Sequence, residues 1–238
     1  MVPDQVKLAH MVPLFKSGDK RLFSNYRPVS VLPIFSKFLE KIAYFRLINY
    51  LDKHKLLASN QYGFRKNHST SLALLYLYDK ITAAVDERKY TAGLFLNLSK
   101  AFDTVNHSIL LGKLEDYGIR GLALEWVKSY LCKRLQYVKF NGVSSSYTEI
   151  LCGVPQGSVL GPLFFLVHIN DICHLSNLYD LVLFADDTNI FFSHNNIQTL
   201  THIINSEMLG LSDWFKANKS SIDVKKFNYL IFKPKQRS

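Results

Sequence analysis

Apolar residues recur at helical spacing over residues 36–52, where Phe38, Ile42, Phe45 and Ile48 mark one face. A second helix is predicted over 70–86, opening at the cap candidates Ser69, Thr70 and Ser71. The pattern then changes. Residues 90–98 form an apolar run of strand length, and a polar break leads to a helix over 108–117 that Gly118 is placed to end. Another helix fits 122–133. Strands are predicted at 136–140 and 147–151 around Asn141-Gly142, a dipeptide that tolerates the positive φ of tight hairpins. Residues 157–172 are predicted helical despite Pro162. A second hairpin is predicted from 181–185 and 189–192, with Asp186-Asp187 at its tip. A long amphipathic helix over 197–216 carries Leu200, Ile204, Met208, Leu211 and Phe215, and a last strand is predicted at 222–232. Residues 16–33 read as a basic loop around Ser17-Gly18-Asp19. Strands mixed with helices and hairpins, without βαβ regularity, predict an α+β fold.

Composition narrows the class. The 238 residues are 48% hydrophobic and 20% charged, as in a packed globular protein. The net charge of +10 is unevenly spread. Residues 1–90 carry 15 basic and 7 acidic side chains (+8), residues 91–193 carry 7 and 9 (−2), and residues 194–238 carry 7 and 3 (+4). This division suits a polyanionic partner held by basic flanks around a centre that keeps its carboxylates for another purpose. A basic protein with no such partner is the competing reading. Cys132, Cys152 and Cys173 are odd in number and form no CxxC pair, which argues against a disulfide framework or a zinc site. Apolar runs such as 163–167 and 181–185 are too short to span a membrane, and the N-terminus lacks a signal-peptide core. No membrane partner and an intracellular location, nuclear or cytoplasmic, are therefore expected.

Three segments carry candidate chemistry. In FADDT (184–188), two adjacent Asp follow buried-strand residues, so they repel one another and lose solvation; a hard divalent cation relieves both penalties. A plain turn is the alternative, since Asp favours turns. In LFLNLSKAFDTVNH (94–107) an apolar strand emerges into a polar loop, where a further metal-binding carboxylate is expected. Asn97 stands at the strand end, and the next acid is Asp103. In GVPQGSVLGPLFF (153–165) the glycines would let backbone approach a ligand closely and then open a helix. No GxxxxGK[ST] phosphate loop occurs in the chain.

These segments, together with YRPVSVLPIFSKFLEKI, QYGFRKNHST and VKKFNYLIF, resemble in order and spacing the reverse transcriptase domain of non-LTR (LINE-like, jockey-type) retrotransposons. The likeness runs from about Val12 to Phe232. It implies a right-hand polymerase built as one reverse transcriptase domain over 1–238. Helical and loop fingers would occupy about 1–90. A palm with an antiparallel sheet packed on helices, and some fingers-associated insertions, would occupy about 91–238. The implied chemistry is nucleotidyl transfer to a primer 3′ hydroxyl, with two Mg2+ (or Mn2+) ions in an intact site. Implied partners are an RNA template, a DNA primer and dNTPs. The resemblance assigns metal binding to Asp186 and Asp187 and places the third ligand at position 97. Phe102 matches the side chain that excludes a ribose 2′ hydroxyl, and is also a core candidate. Gln156 and Gly157 match the loop lining template and nucleotide. Lys16 and Arg27 match residues that neutralise the triphosphate, and are also candidates for plain surface charges. Arg65 lies near template or nucleotide. Lys226 matches the lysine that protonates leaving pyrophosphate, although Lys225 adjoins it and Phe227 replaces a usual Thr. His168, within an apolar helix, reads as a core residue.

The chain departs from the family pattern at Asn97, where the family has Asp. An amide keeps one carbonyl oxygen but loses the charge that lets two cations sit close together. The expectation is a domain that folds as a polymerase but is inactive or impaired; the alternative is a non-catalytic nucleic-acid-binding remnant. The ends depart as well: the sequence finishes at FKPKQRS, so neither a thumb nor an endonuclease domain is expected in it, and weak, salt-dependent grip on a duplex follows.

Overall fold

The computed structural model describes residues 1–140 and 142–234. In chain order the elements are β1 (Leu8–Phe15), β2 (Tyr26–Val31), α1 (Ile34–Lys53), α2 (Thr70–Asp86), β3 (Tyr90–Asn97), α3 (His107–Asp116), α4 (Leu122–Leu131), β4 (Leu135–Phe140), β5 (Val143–Ser144), β6 (Thr148–Glu149), α5 (Leu160–Ile169), β7 (Asp180–Phe184), β8 (Asp187–His194), α6 (Ile197–Ala217) and β9 (Asn228–Phe232). This is a mixed α and β fold. Two compact units divide it: Met1–Leu56 with Phe102–His168, and Leu57–Ala101 with the described residues from Ile169 on.

The first unit holds a sheet ordered β2-β1-β4-β5, with β6 also paired to β4. β1 and β2 are antiparallel from His10↔Val31 to Phe15↔Tyr26, and β1 runs parallel to β4 from Leu8↔Leu135 to Met11↔Val138. The expected basic loop over 16–33 is thereby corrected: only 16–25 connects two strands. Neither strand alternates cleanly in burial, and β1 lies between its hairpin partner β2 and the parallel β4, which is more than a hundred residues away. β4 pairs antiparallel with β5, with Phe140↔Val143 in register. A return strand thus begins earlier than expected, at Val143, while the expected strand over 147–151 is present as the short β6, antiparallel to β4 at Leu135↔Glu149 and Gln136↔Thr148. Asn141 itself lies outside the described residues.

α5 is the core of this unit. Leu163, Phe164, Phe165, Leu166 and Val167 are all buried, as in a helix that is apolar on every face. Pro162 sits in its first turn, where a missing N–H costs nothing, and a 3-10 segment over Asn170–His174 follows instead of further α-helix. His168 is buried in α5, as expected. In α1 the helix is where the spacing placed it, but its buried face differs. Phe38, Ile42 and Phe45 are exposed, whereas Ser36, Glu40, Leu47 and Leu51 are buried. Hydrogen bonds decide the face: Glu40 accepts from Ser36 Oγ at 3.0 Å and from the Val159 N–H at 2.6 Å.

In the second unit an antiparallel sheet is ordered β7-β8-β3-β9. Leu94 and Leu96 of the central strand β3 are buried, and α2 and α6 pack on the sheet. α2 starts at the predicted cap, Ser69, whose side chain accepts from the Leu72 N–H. α6 is capped by Asn196 and buries Leu200, Leu211, Trp214 and Phe215. Two strand expectations need correction. The β7–β8 register closes at Phe184↔Asp187, so the turn residues are Ala185 and Asp186, and Asp187 is the first residue of β8. The last strand begins only at Asn228. Before it, Asp223 accepts an ion pair from Lys226 within a 3-10 turn at Val224–Lys226, which interrupts pairing after the Leu98↔Ile222 bridge.

Candidate functional site

In the second unit, strand register brings the FADDT residues to the end of β3. Asn97 is the last residue of that strand and is paired with Asp187. Its amide Nδ2 donates to Asp187 Oδ1 at 3.0 Å, and its Oδ1 accepts from Lys226 Nζ, also at 3.0 Å. Lys226 additionally reaches Asp223 Oδ2 at 3.3 Å, while the Asp223 N–H donates to the Asn97 carbonyl at 2.8 Å. The Asp186 carbonyl accepts from the Leu98 N–H at 3.4 Å. Asp187 is exposed and Asp186 half-buried. Beside them lies a cleft of about 600 Å³, with Leu77, Phe95 and Phe184 on its apolar side and Asn97, Asp187 and Lys226 on its polar side.

The donor set tests whether two divalent ions fit. Among the described residues, no three His, Cys, Asp or Glu side chains gather as a metal cluster. Asp186 and Asp187 stand beside the end of β3, and carboxylate oxygens are the ligands a hard cation prefers. The third place offers no free anionic oxygen: the amide oxygen faces an ammonium, and the amide nitrogen occupies part of the Asp187 carboxylate. These residues do not fit a closely spaced pair of divalent ions.

In the first unit, the 153–157 loop packs on its own chain. Gln156 Nε2 donates to Asp103 Oδ1 at 2.9 Å, and the Gln156 carbonyl accepts from the Ser30 N–H of β2 at 2.7 Å. Gly157 has φ +109, and a Cβ there would stand 2.7 Å from the Ser30 carbonyl oxygen. The glycine therefore allows approach to β2 itself. Phe102 is half-buried, stacks on Phe165 at 5.0 Å, and accepts at its carbonyl from the Val154 N–H. Lys16 and Arg27 sit on the β1–β2 hairpin, where Leu14 pairs with Arg27 and the Lys16 N–H reaches the Asn25 carbonyl; both side chains are exposed.

Residues 16–234 match the family described as reverse transcriptase (RNA-dependent DNA polymerase). The chain belongs to this family. It is 31% identical to the probable RNA-directed DNA polymerase from transposon X-element of Drosophila melanogaster, over 99% of this chain and 26% of the relative. To the RNA-directed DNA polymerase from mobile element jockey of the same species it is 30% identical, over 97% and 26%. The chain thus spans about a quarter of the length of these curated relatives. Among solved structures, apo telomerase from Candida tropicalis superposes with a TM-score of 0.67 at 12% identity, over 97% of this chain and 46% of that one, a likeness of fold. The resemblance to non-LTR retrotransposon reverse transcriptases therefore holds.

Of the residues expected in such a reverse transcriptase site, Asn97, Asp186, Asp187 and Lys226 come together in the second unit. Arg65 belongs to the same unit and donates from Nη1 to the Ala58 carbonyl at 2.6 Å. Phe102, Gln156 and Gly157 form a group of their own in the first unit, and Lys16 and Arg27 another. Sequence reasoning missed Asp223, Gln61 and Gly63. Gln61 Oε1 accepts from the Ala185 N–H at 3.2 Å, and a Cβ on Gly63 would lie 2.2 Å from Ala185 N. The available signal is the QYGFR segment, of which the resemblance marks only Arg65 as a site residue.

Proposed function

We propose that this chain is a reverse transcriptase domain whose nucleotidyl-transfer centre is impaired. In this reading Asp186, Asp187 and position 97 are the metal-binding places of a two-ion polymerase. Lys226 serves the leaving pyrophosphate; Lys16 and Arg27 meet the triphosphate; Arg65, Phe102, Gln156 and Gly157 line template and nucleotide. Residues 1–90 supply fingers and 91–238 a palm with fingers-associated insertions. The charge division supports this, and the clustering of Phe102–His168 with Met1–Leu56 supports the fingers-associated insertions; residues 57–90 cluster instead with the β3 and β7–β9 unit, so the boundary at 90 rests on the resemblance and the charge division alone. The substrates are an RNA template, a DNA primer and dNTPs, with Mg2+ or Mn2+.

One observation carries the impairment: the Asn97 amide joins Lys226 to Asp187 at the place where the resemblance expects an acidic side chain that would help hold the metal. When bound, the ions would activate the primer hydroxyl and hold the triphosphate. The side chains present hold a hydrogen-bonded chain from ammonium through amide to carboxylate instead. The test is primer extension on a poly(rA) template with an oligo(dT) primer. The chain as it stands is expected to remain at background. Asn97→Asp is expected to extend, and Asp186→Ala in that background to lose extension again. Equal extension with Asn97 and with Asp overturns the reading.

A second reading, a nucleic-acid-binding remnant, is favoured by the exposed Lys16, Lys20, Arg21 and Arg27 on the β1–β2 hairpin. It predicts salt-dependent RNA binding that persists in Asp186→Ala.

A further inference from the structure

The turn that presents Asp186 contains a non-glycine residue, Ala185, at φ +55, a conformation that L side chains adopt at a cost. Something must hold it. The strand ladder closes at Phe184↔Asp187 and leaves the Ala185 N–H to another acceptor. That acceptor is Gln61 Oε1, on a residue only 2% exposed, which also accepts from the Gly63 N–H at 2.7 Å. The backbone beside it follows β7: the Leu183 N–H donates to the Asn60 carbonyl at 2.9 Å, and the Tyr62 N–H to the Leu183 carbonyl at 2.8 Å. The absence of a Cβ on Gly63 lets this segment reach the turn. Only the carbonyl half of the Gln61 amide is used, since Nε2 has no partner among the described residues.

We infer that Gln61 is a positioning residue that fixes the Ala185–Asp186 turn and thereby aims the two carboxylates that follow from it. The functional consequence rests on the reading of Asp186 and Asp187 as the catalytic pair; the structural one does not. From one side the turn is held by Gln61, and from the other by the Leu98 N–H on the Asp186 carbonyl. A buried donor left without its acceptor carries a desolvation penalty, so the segment and the turn are expected to loosen together when the acceptor is removed.

Gln61→Met keeps the bulk and removes the acceptor, whereas Gln61→Glu keeps an oxygen in the same place. Amide hydrogen exchange of the 238-residue chain reads the anchor directly. Exchange at Ala185 and Gly63 is expected to rise at least about tenfold in Gln61→Met, with β3 and α6 amides unchanged, and to return towards the parent rate in Gln61→Glu. In an Asn97→Asp background, Gln61→Met is expected to lower kcat about tenfold or more with KM retained, and Gln61→Glu to recover it. Unchanged Ala185 exchange in Gln61→Met overturns the inference. If Gln61→Met does not fold, the Gln61→Glu chain decides: loss of Ala185 protection there overturns it, and retained protection supports it. If Asn97→Asp extends no primer, the catalytic reading has failed, and Ala185 exchange still decides for or against the anchor.

Discussion

Asn97→Asp changes one atom type at a place where the surrounding charges are known. In the parent, the amide donates to Asp187 and accepts from Lys226, both at 3.0 Å. A carboxylate in its place loses the first bond and sets two negative charges about 3 Å apart. That repulsion is about 1.4 kcal/mol in water and about 5.5 kcal/mol at an effective dielectric of about 20. Asp187 is exposed, so the lower figure applies, and Lys226 at the same distance offsets most of it. What remains is the lost hydrogen bond, about 1 kcal/mol. Without metal, Asn97→Asp is therefore expected to melt about 2–4 °C below the parent. Divalent metal reverses the order, because the new carboxylate binds it: at a hundred times Kd the variant gains about 2.7 kcal/mol. Thermal melts of both chains across a Mg2+ or Mn2+ titration measure this, alongside primer extension, where a gain of about a hundredfold corresponds to about 2.7 kcal/mol of barrier. Equal metal-induced shifts in the two chains would refute the reasoning, since the lost charge would then not be what limits ion binding.

Three further outcomes follow from other parts of the molecule. Glu40 is fully buried and accepts from Ser36 Oγ and the Val159 N–H, so Glu40→Ala is expected to cost about 3 kcal/mol, read as a lower urea midpoint. Burial pushes the Cys173 thiol up to about 11, and Cys132 and Cys152 are exposed; iodoacetamide at pH 8 should therefore label those two well before Cys173, followed by mass spectrometry. The hydrogen bond from Lys80 to Asp180 raises the lysine above 10.5, and burial, then Asp180, raises Tyr76 above 10.0. Raised groups hold their protons more tightly in the folded state, so their contribution is complete below about pH 10 and fades as pH climbs through the folded values. The stability difference between the parent and Asp180→Asn should accordingly be constant from about pH 7 to 9 and shrink above about 10.5. It should stay within about 1 kcal/mol, because the pair is partly exposed, and a difference that grows with pH would contradict it.

What could be read from the chain beforehand divides along the range of the forces involved. The bounds of α2 follow from Ser69, whose hydroxyl caps a helix three residues on, and the run into β3 follows from consecutive apolar residues ending at Asn97. Both are local, so both were legible, and so was the place of Asn97 at the end of that strand. The face of α1 was not. Spacing favoured Phe38, Ile42 and Phe45, but a buried carboxylate that finds the Val159 N–H, 119 residues away, outweighs three exposed apolar side chains. β1 and β2 escaped because neither alternates cleanly in burial and the parallel partner of β1, β4, lies more than a hundred residues on. The turn of the β7–β8 hairpin slipped by one residue: which of Ala185, Asp186 and Asp187 forms the turn is set by strand register, and a period of two tolerates no half steps. Gln61 shows the limit most sharply. Its type and its neighbours mark it as nothing more than polar; its role exists only because Ala185, 124 residues on, carries an N–H that the ladder does not serve. Residues that perform chemistry announce themselves by type and by the element they end. Those that aim them are defined by an unmet hydrogen bond elsewhere in the fold, so the search for them begins from buried donors at strained turns.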